Sequence, residues 1–136
     1  MKKYELIEHT ADVGIKAYGN TISEAFQNAA TAMFDIITDK SKIESKGQYN
    51  IELEAADLEQ LLVDFLSELL FLSGANNYVF GSFNVKIKDK RLTAEVKGEE
   101  FNIKKHKMGV EIKAVTYHML EVNTKPPIHA QVLFDI

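Results

Sequence analysis

The sequence predicts an α+β domain: a mostly antiparallel sheet with two helices packed on one face, in a single unit spanning residues 1–136. Three observations carry this. Apolar and polar residues alternate in about seven stretches, the period of a half-buried strand. Apolar residues recur at helical spacing in two longer stretches. Several links between strand-like stretches are too short for a parallel crossover, which takes a dozen or more residues.

Tyr4 to Glu8 reads as a strand, and His9-Thr10-Ala11-Asp12 interrupts it. Val13, Ile15 and Ala17 then alternate with Gly14, Lys16 and Tyr18 as a second strand. A helix begins near Thr21, where Thr21 and Glu24 form a capping box that satisfies backbone N–H groups left over in the first turn. Its apolar positions are Ile22, Ala25, Phe26, Ala29, Ala30, Met33, Phe34 and Ile37. Tyr49, Ile51 and Leu53 mark the next strand. A second helix follows from Asp57, capped with Gln60 and carrying an apolar face from Leu58 to Leu70. Ser73-Gly74-Ala75-Asn76-Asn77 reads as a turn. Phe83, Val85 and Ile87 form a strand, Asp89-Lys90 a hairpin turn, and Leu92, Ala94 and Val96 the return. Glu99 to Gly109 lacks a period and reads as a loop. Val110 to Val122 reads as one long strand, Lys125-Pro126-Pro127 as a connection, and Ile128 to Ile136 as the last strand.

The chain has no cysteine, which removes disulfides, thiolate metal sites and cysteine nucleophiles. That suits a reducing cytosol, and neither a signal-peptide core nor a bilayer-length apolar run is expected. The net charge of −4 lacks the basic surplus of a protein that grips nucleic acid unaided, so any RNA is expected to be held by a partner. No phosphate-binding Gly-rich loop, His-Glu-x-x-His helix or nucleophile elbow is present, which argues against a free-standing enzyme.

Three places could carry chemistry. His9 and Asp12 flank a break between strands, where functional groups concentrate, although an Asp there commonly just satisfies turn N–H groups. At the other end, Asp135 stands beside the carboxylate of Ile136; close carboxylates repel unless a cation or lysine neutralises them, although an ordinary edge strand ending in water is the commoner case. Between Lys113 and His118, strand geometry would put Lys113 and Tyr117 on one face and Thr116 and His118 on the other. Alone, His118 reads as a partly buried histidine on an apolar face and Lys113 as a solvated lysine. Asp64 and Glu68, one helical turn apart, read as a solvated stripe opposite the leucine face. Lys104-Lys105-His106-Lys107 is a small basic cluster open to nucleic acid or an acidic partner. His129 carries no assignment.

Taken together, Glu8-His9-Thr10-Ala11-Asp12-Val13-Gly14-Ile15, the stretch from Leu61 to Leu70, Lys113-Ala114-Val115-Thr116-Tyr117-His118 and the closing Phe134-Asp135-Ile136 resemble the archease family. The resemblance covers essentially the whole chain. It departs at Phe65, where the family often has Trp, and at Met119, where small or polar residues are common. It implies an accessory protein of the GTP- and metal-dependent tRNA-splicing RNA ligase, which promotes guanylylation of the ligase and its turnover and meets RNA only through the ligase. It also implies a divalent ion, calcium first with magnesium or manganese as alternatives, held by Asp12, Asp135 and the carboxylate of Ile136. His9 and His118 fall at neighbouring motif positions, and Lys113 at a lysine facing the ligase. Such hard oxygen donors suit those ions and do not select zinc or copper. The competing readings are a general chaperone or binding module and a small metal-dependent phosphohydrolase.

Overall fold

The computed structural model describes residues 2–9 and 12–136, with His9 described in its backbone alone. The strands, all paired antiparallel, fall into two sheets. The first contains β1 (Tyr4–His9), β2 (Asp12–Tyr18), β6 (Ala114–Val115), β7 (Glu121–Asn123) and β8 (His129–Asp135). Its order is β1-β2-β8-β6, and β7 also pairs with β8. The second runs β3-β5-β4, from β3 (Gly47–Glu54), β4 (Tyr78–Lys88) and β5 (Arg91–Glu100). The expected α+β fold with antiparallel pairing stands, with the strands divided between two sheets.

Each sheet buries one face. Val13, Ile15 and Ala17 pair across β2 and β8 with Phe134, Val132 and Ala130, so these side chains share the inner face of the first sheet. Helix α1 (Ile22–Ile37) packs there and also against β4 of the second sheet. It is buried on several sides, with Ala25, Phe26, Ala29, Ala30 and Met33 sealed from solvent. Its alanines allow this close approach from both sides. Two α1 side chains also satisfy the outer edge of β4: Gln27 Oε1 accepts from Val85 N at 2.8 Å and Ser23 Oγ from Ile87 N at 3.0 Å. Helix α2 (Leu58–Asn76) touches strands of both sheets, and its Phe65 stacks on Phe26 of α1 with ring centres 6.4 Å apart.

Both predicted helix starts hold. Thr21 Oγ1 accepts from Glu24 N at 3.0 Å, and Asp57 Oδ1 from Gln60 N at 2.7 Å. The Asp89-Lys90 turn also stands, with Asp89 at φ 57°. Two boundaries move. Ser73 to Asn76 continues α2, because Asn77 takes the left-handed conformation at φ 52° and its N–H caps Ser73 O. β5 runs to Glu100, so the loop begins later than expected.

The largest correction concerns 110–122, where two short strands, β6 and β7, replace one long strand. The stretch before β6 is a strap bonded to α1: Gly109 N donates to Ile37 O at 2.8 Å and Val110 N to Ile36 O at 3.0 Å. These bonds satisfy helix-end carbonyls that have no partner within the helix. After Val115, Thr116 ends the strand. Its N–H and hydroxyl both donate to Leu133 O, at 3.0 and 2.9 Å, while its Oγ1 accepts from His118 N at 3.2 Å. Met119 then turns with φ 56°. The face shared by Thr116 and His118 therefore does not exist, nor does the one shared by Lys113 and Tyr117.

Candidate functional site

The pairing of β2 with β8 sets Asp12 directly opposite Asp135. Residues opposed in this way present their side chains to the same face, with Cβ atoms about 4.5–5.5 Å apart. Because Val13 and Phe134 face the core, the two carboxylates belong to the outer face of the first sheet. On one flank β1 places His9 opposite Asp12, and on the other β6 places Ala114 opposite Asp135. The row across four strands is thus His9, Asp12, Asp135, Ala114, followed in sequence by Ile136, which is 37% exposed. Asp12 is half-buried and Asp135 exposed. Thr10 and Ala11, between the first two members, lie outside the described residues.

Two positions inward, on the same face, Gly14 pairs with Leu133. A Cβ at position 14 would lie 2.3 Å from Leu133 Cδ2 and 2.8 Å from Val132 O, so only glycine lets the buried Leu133 lean across β2. A glycine in an alternating pattern marks close backbone approach without saying to what, so the partner was not legible locally.

Lys113 is tied to the same end of the sheet by its backbone, whose N–H donates to Asp135 O at 2.7 Å; its side chain is exposed. His118 is exposed, contrary to the partly buried histidine expected from an unbroken strand. Asp64 and Glu68 are half-buried and do not form a solvated stripe. Gln60 donates through Nε2 to Asp64 Oδ1 at 2.8 Å and to the Tyr117 hydroxyl at 3.0 Å, so this face of α2 meets the segment after β6.

The basic cluster is largely consumed by a partner the sequence did not reveal. Glu99, 5% exposed, accepts from Lys105 Nζ at 2.9 Å and from Glu44 N at 2.7 Å, and its Oε2 lies 3.0 Å from His106 Nε2. His106 Nδ1 accepts from Asn102 N at 3.0 Å, which makes the imidazole a neutral ring with its proton on Nε2. Burial pushes the Glu99 carboxyl up, but the bonds from Glu44, Lys105 and His106 outweigh it and hold it at about 2. Two of the four cluster residues therefore anchor the loop. His129 is also structural: buried, it sits 2.5 Å from Glu121 Oε1 across β7 and β8.

Among the described residues, no three His, Cys, Asp or Glu groups form a metal-holding cluster. The acidic donors brought opposite one another are Asp12 and Asp135, on adjacent strands. Like charges opposed across a strand pair are unfavourable, and hard oxygen donors match a cation of the calcium or magnesium kind. The donor chemistry therefore fits the divalent ion expected from the sequence. Among the described residues, no helix is long and apolar enough to cross a membrane.

The Archease protein family (MTH1598/TM1083) matches residues 4–136. Protein archease of Pyrococcus furiosus is 45% identical over 130 residues, covering 93% of this chain and 92% of its own. Protein archease of Methanosarcina acetivorans is 45% identical over 141 residues, covering 99% of this chain and 97% of its own. The solution structure of Methanobacterium thermoautotrophicum protein 1598 superposes with a TM-score of 0.82 at 37% identity, covering all of both chains. A crystal structure of a Thermotoga maritima archease, described as a possible chaperone, shares the fold at a TM-score of 0.63 and 22% identity, over 96% of this chain and 94% of that one.

Proposed function

This chain belongs to the archease family, and we propose that it is an accessory protein of a GTP- and metal-dependent tRNA-splicing RNA ligase. It raises ligase guanylylation and turnover in the cytoplasm and has no ligation activity of its own. The observation that carries the reading is the opposition of Asp12 and Asp135 across β2 and β8.

Asp12, Asp135 and the carboxylate of Ile136 would hold a divalent ion, calcium first and magnesium or manganese otherwise, with water completing the shell. Such an ion supplies charge neutralisation to phosphate oxygens in a partner's nucleotide site. The chain's own part is placement. The close approach of β2 and β8, permitted by Gly14, sets the two carboxylates side by side. The bond from Lys113 N to Asp135 O fixes the neighbouring segment, whose lysine adds a point charge beside them. His9, the strand partner of Asp12, and His118 are taken as neighbours of the site and not as ligands. RNA is met only through the ligase.

The test is multiple-turnover ligation by the purified ligase with GTP and manganese. Added protein should increase turnover, and Asp12→Ala or Asp135→Ala should abolish the increase while the fold persists. Rates unchanged across a wide range of added protein would end the proposal. A second reading, a general chaperone, draws on the exposed Phe71, Ile103 and Met108. It predicts suppression of aggregation of unrelated proteins that survives Asp12→Ala. A phosphohydrolase would instead release phosphate from nucleotides without any partner.

A further inference from the structure

Along the end of β8, burial stops just before the acidic residue. Leu133 and Phe134 are sealed in the core, whereas Asp135 and Ile136 are exposed, so packing does little to hold them. A chain end in that position frays unless neighbouring backbone ties it down. On one side the tie is β2, through the pairing of Asp12 with Asp135. On the other side it is β6, a strand of two residues, together with the bond from Lys113 N to Asp135 O at 2.7 Å.

So short a strand has too few ladder bonds to hold itself in register. It is instead fastened at both ends. Upstream, Gly109 N and Val110 N bond to the last carbonyls of α1. Downstream, Thr116 is the fastening. Its N–H and its hydroxyl both donate to Leu133 O, at 3.0 and 2.9 Å, and its Oγ1 accepts from His118 N at 3.2 Å. One side chain thus ties β6 to β8 two residues before Asp135 and closes the turn that follows. Thr116 is half-buried, which shields these bonds from competing water. Its β-branched side chain has few rotamers, so holding this arrangement costs little entropy.

We propose that Thr116 is a positioning residue: its hydroxyl clips β6 to β8 and so keeps Asp135 opposite Asp12 in an arrangement able to take a divalent ion. The inference rests on the ion site proposed above. The path runs through the main chain, from Thr116 to Leu133 O at one end of β6 and from Lys113 N to Asp135 O at the other.

The test compares Thr116→Val, which keeps the side chain's shape without the hydroxyl, with Thr116→Ser, which keeps the hydroxyl. Amide exchange over residues 133–136 reads the clip, and titration of the full chain with calcium, magnesium or manganese alone reads the site. Losing one hydrogen bond shifts such equilibria by roughly threefold to tenfold. Thr116→Val should speed exchange over 133–136 and raise the metal Kd by that factor, and Thr116→Ser should restore most of both. Ser23→Ala takes the acceptor from Ile87 N in the other sheet. It should lower the urea midpoint and leave both readouts at their parent values. Parent exchange and parent metal affinity in Thr116→Val overturn the proposal. So does a Thr116→Ser protein that behaves like Thr116→Val, or a Ser23→Ala protein that loses as much metal affinity, since the effect would then not belong to the hydroxyl. These outcomes leave the ion site standing. A parent protein that binds none of the three metals removes the ion site, and this inference falls with it.

Discussion

Replacing Gly14 with alanine tests whether the acidic pair depends on the close approach of β2 and β8. The added Cβ would sit 2.3 Å from Leu133 Cδ2, 2.8 Å from Val132 O and 3.4 Å from Ile7 Cβ. Ordinary carbon contacts lie near 3.5–4.0 Å, so Leu133 would have to retreat by more than about 1 Å. Leu133 is fully buried and has no space to retreat into, and Val132 O belongs to the ladder itself. Overpacking of this kind costs about 1–3 kcal/mol. Against it stands a gain of roughly 0.5–1 kcal/mol from removing a strand glycine, so the net loss spans roughly 0–2.5 kcal/mol and centres near 1 kcal/mol. Urea unfolding followed by circular dichroism should show a lower midpoint at unchanged slope. In a Leu133→Ala background the main clash is gone, and the cost of Gly14→Ala should shrink by at least about 0.5 kcal/mol, the coupling expected of touching residues. A Gly14→Ala protein as stable as the parent would refute the packing argument.

Three further outcomes follow from other parts of the molecule. Asp135→Asn removes a like-charge opposition and should stabilise the chelator-treated protein by about 0.2–1 kcal/mol. If calcium binds as proposed, a hundredfold its Kd should stabilise the parent by about 2.7 kcal/mol and Asp135→Asn far less; thermal unfolding with calcium and with chelator compares the two. Glu99 has a folded pKa of about 2 against an ordinary 4.5, so its contribution is complete above 4.5 and is lost as pH falls towards 2. Urea midpoints measured between pH 5 and 2.5 should therefore fall less steeply in Glu99→Gln than in the parent, and parallel profiles would contradict the assignment. At Gly109 an added Cβ would lie 2.1 Å from Ile36 O, so Gly109→Ala should displace the strap from α1. Amide hydrogen exchange at positions 109 and 110 should accelerate, since those N–H groups lose Ile37 O and Ile36 O.

Local patterns revealed the local structure. The capping residues Thr21 and Asp57 and the turn at Asp89 act over three or four residues and were legible from the sequence. The strap after Gly109 was not, because its partners are carbonyls of α1 some seventy residues earlier, and no period signals such a bond. The same is true of Lys105 and His106, which look like a basic patch until Glu99 is placed beneath them. The end of α2 was missed because Gly74 resembles a breaker, whereas Asn77 supplies the left-handed stop. Asp12 and Asp135 were singled out individually from their surroundings. Their meeting depends on which strand pairs with β2, and only the family resemblance indicated that in advance. The row position of Ala114 depends on a further pairing, that of β6 with β8.

The two sheets differ in how far apart in the chain their strands lie. The second is assembled wholly from positions 47–100, whereas the first must join 12–18 to 129–135. Closing so long a loop carries an entropic cost that the neighbouring hairpin avoids. Nucleation should thus favour the β4–β5 hairpin, with the edge that carries Asp12 and Asp135 assembled late. Substitutions along β2 and β8 should then act chiefly on the unfolding rate and leave refolding nearly untouched.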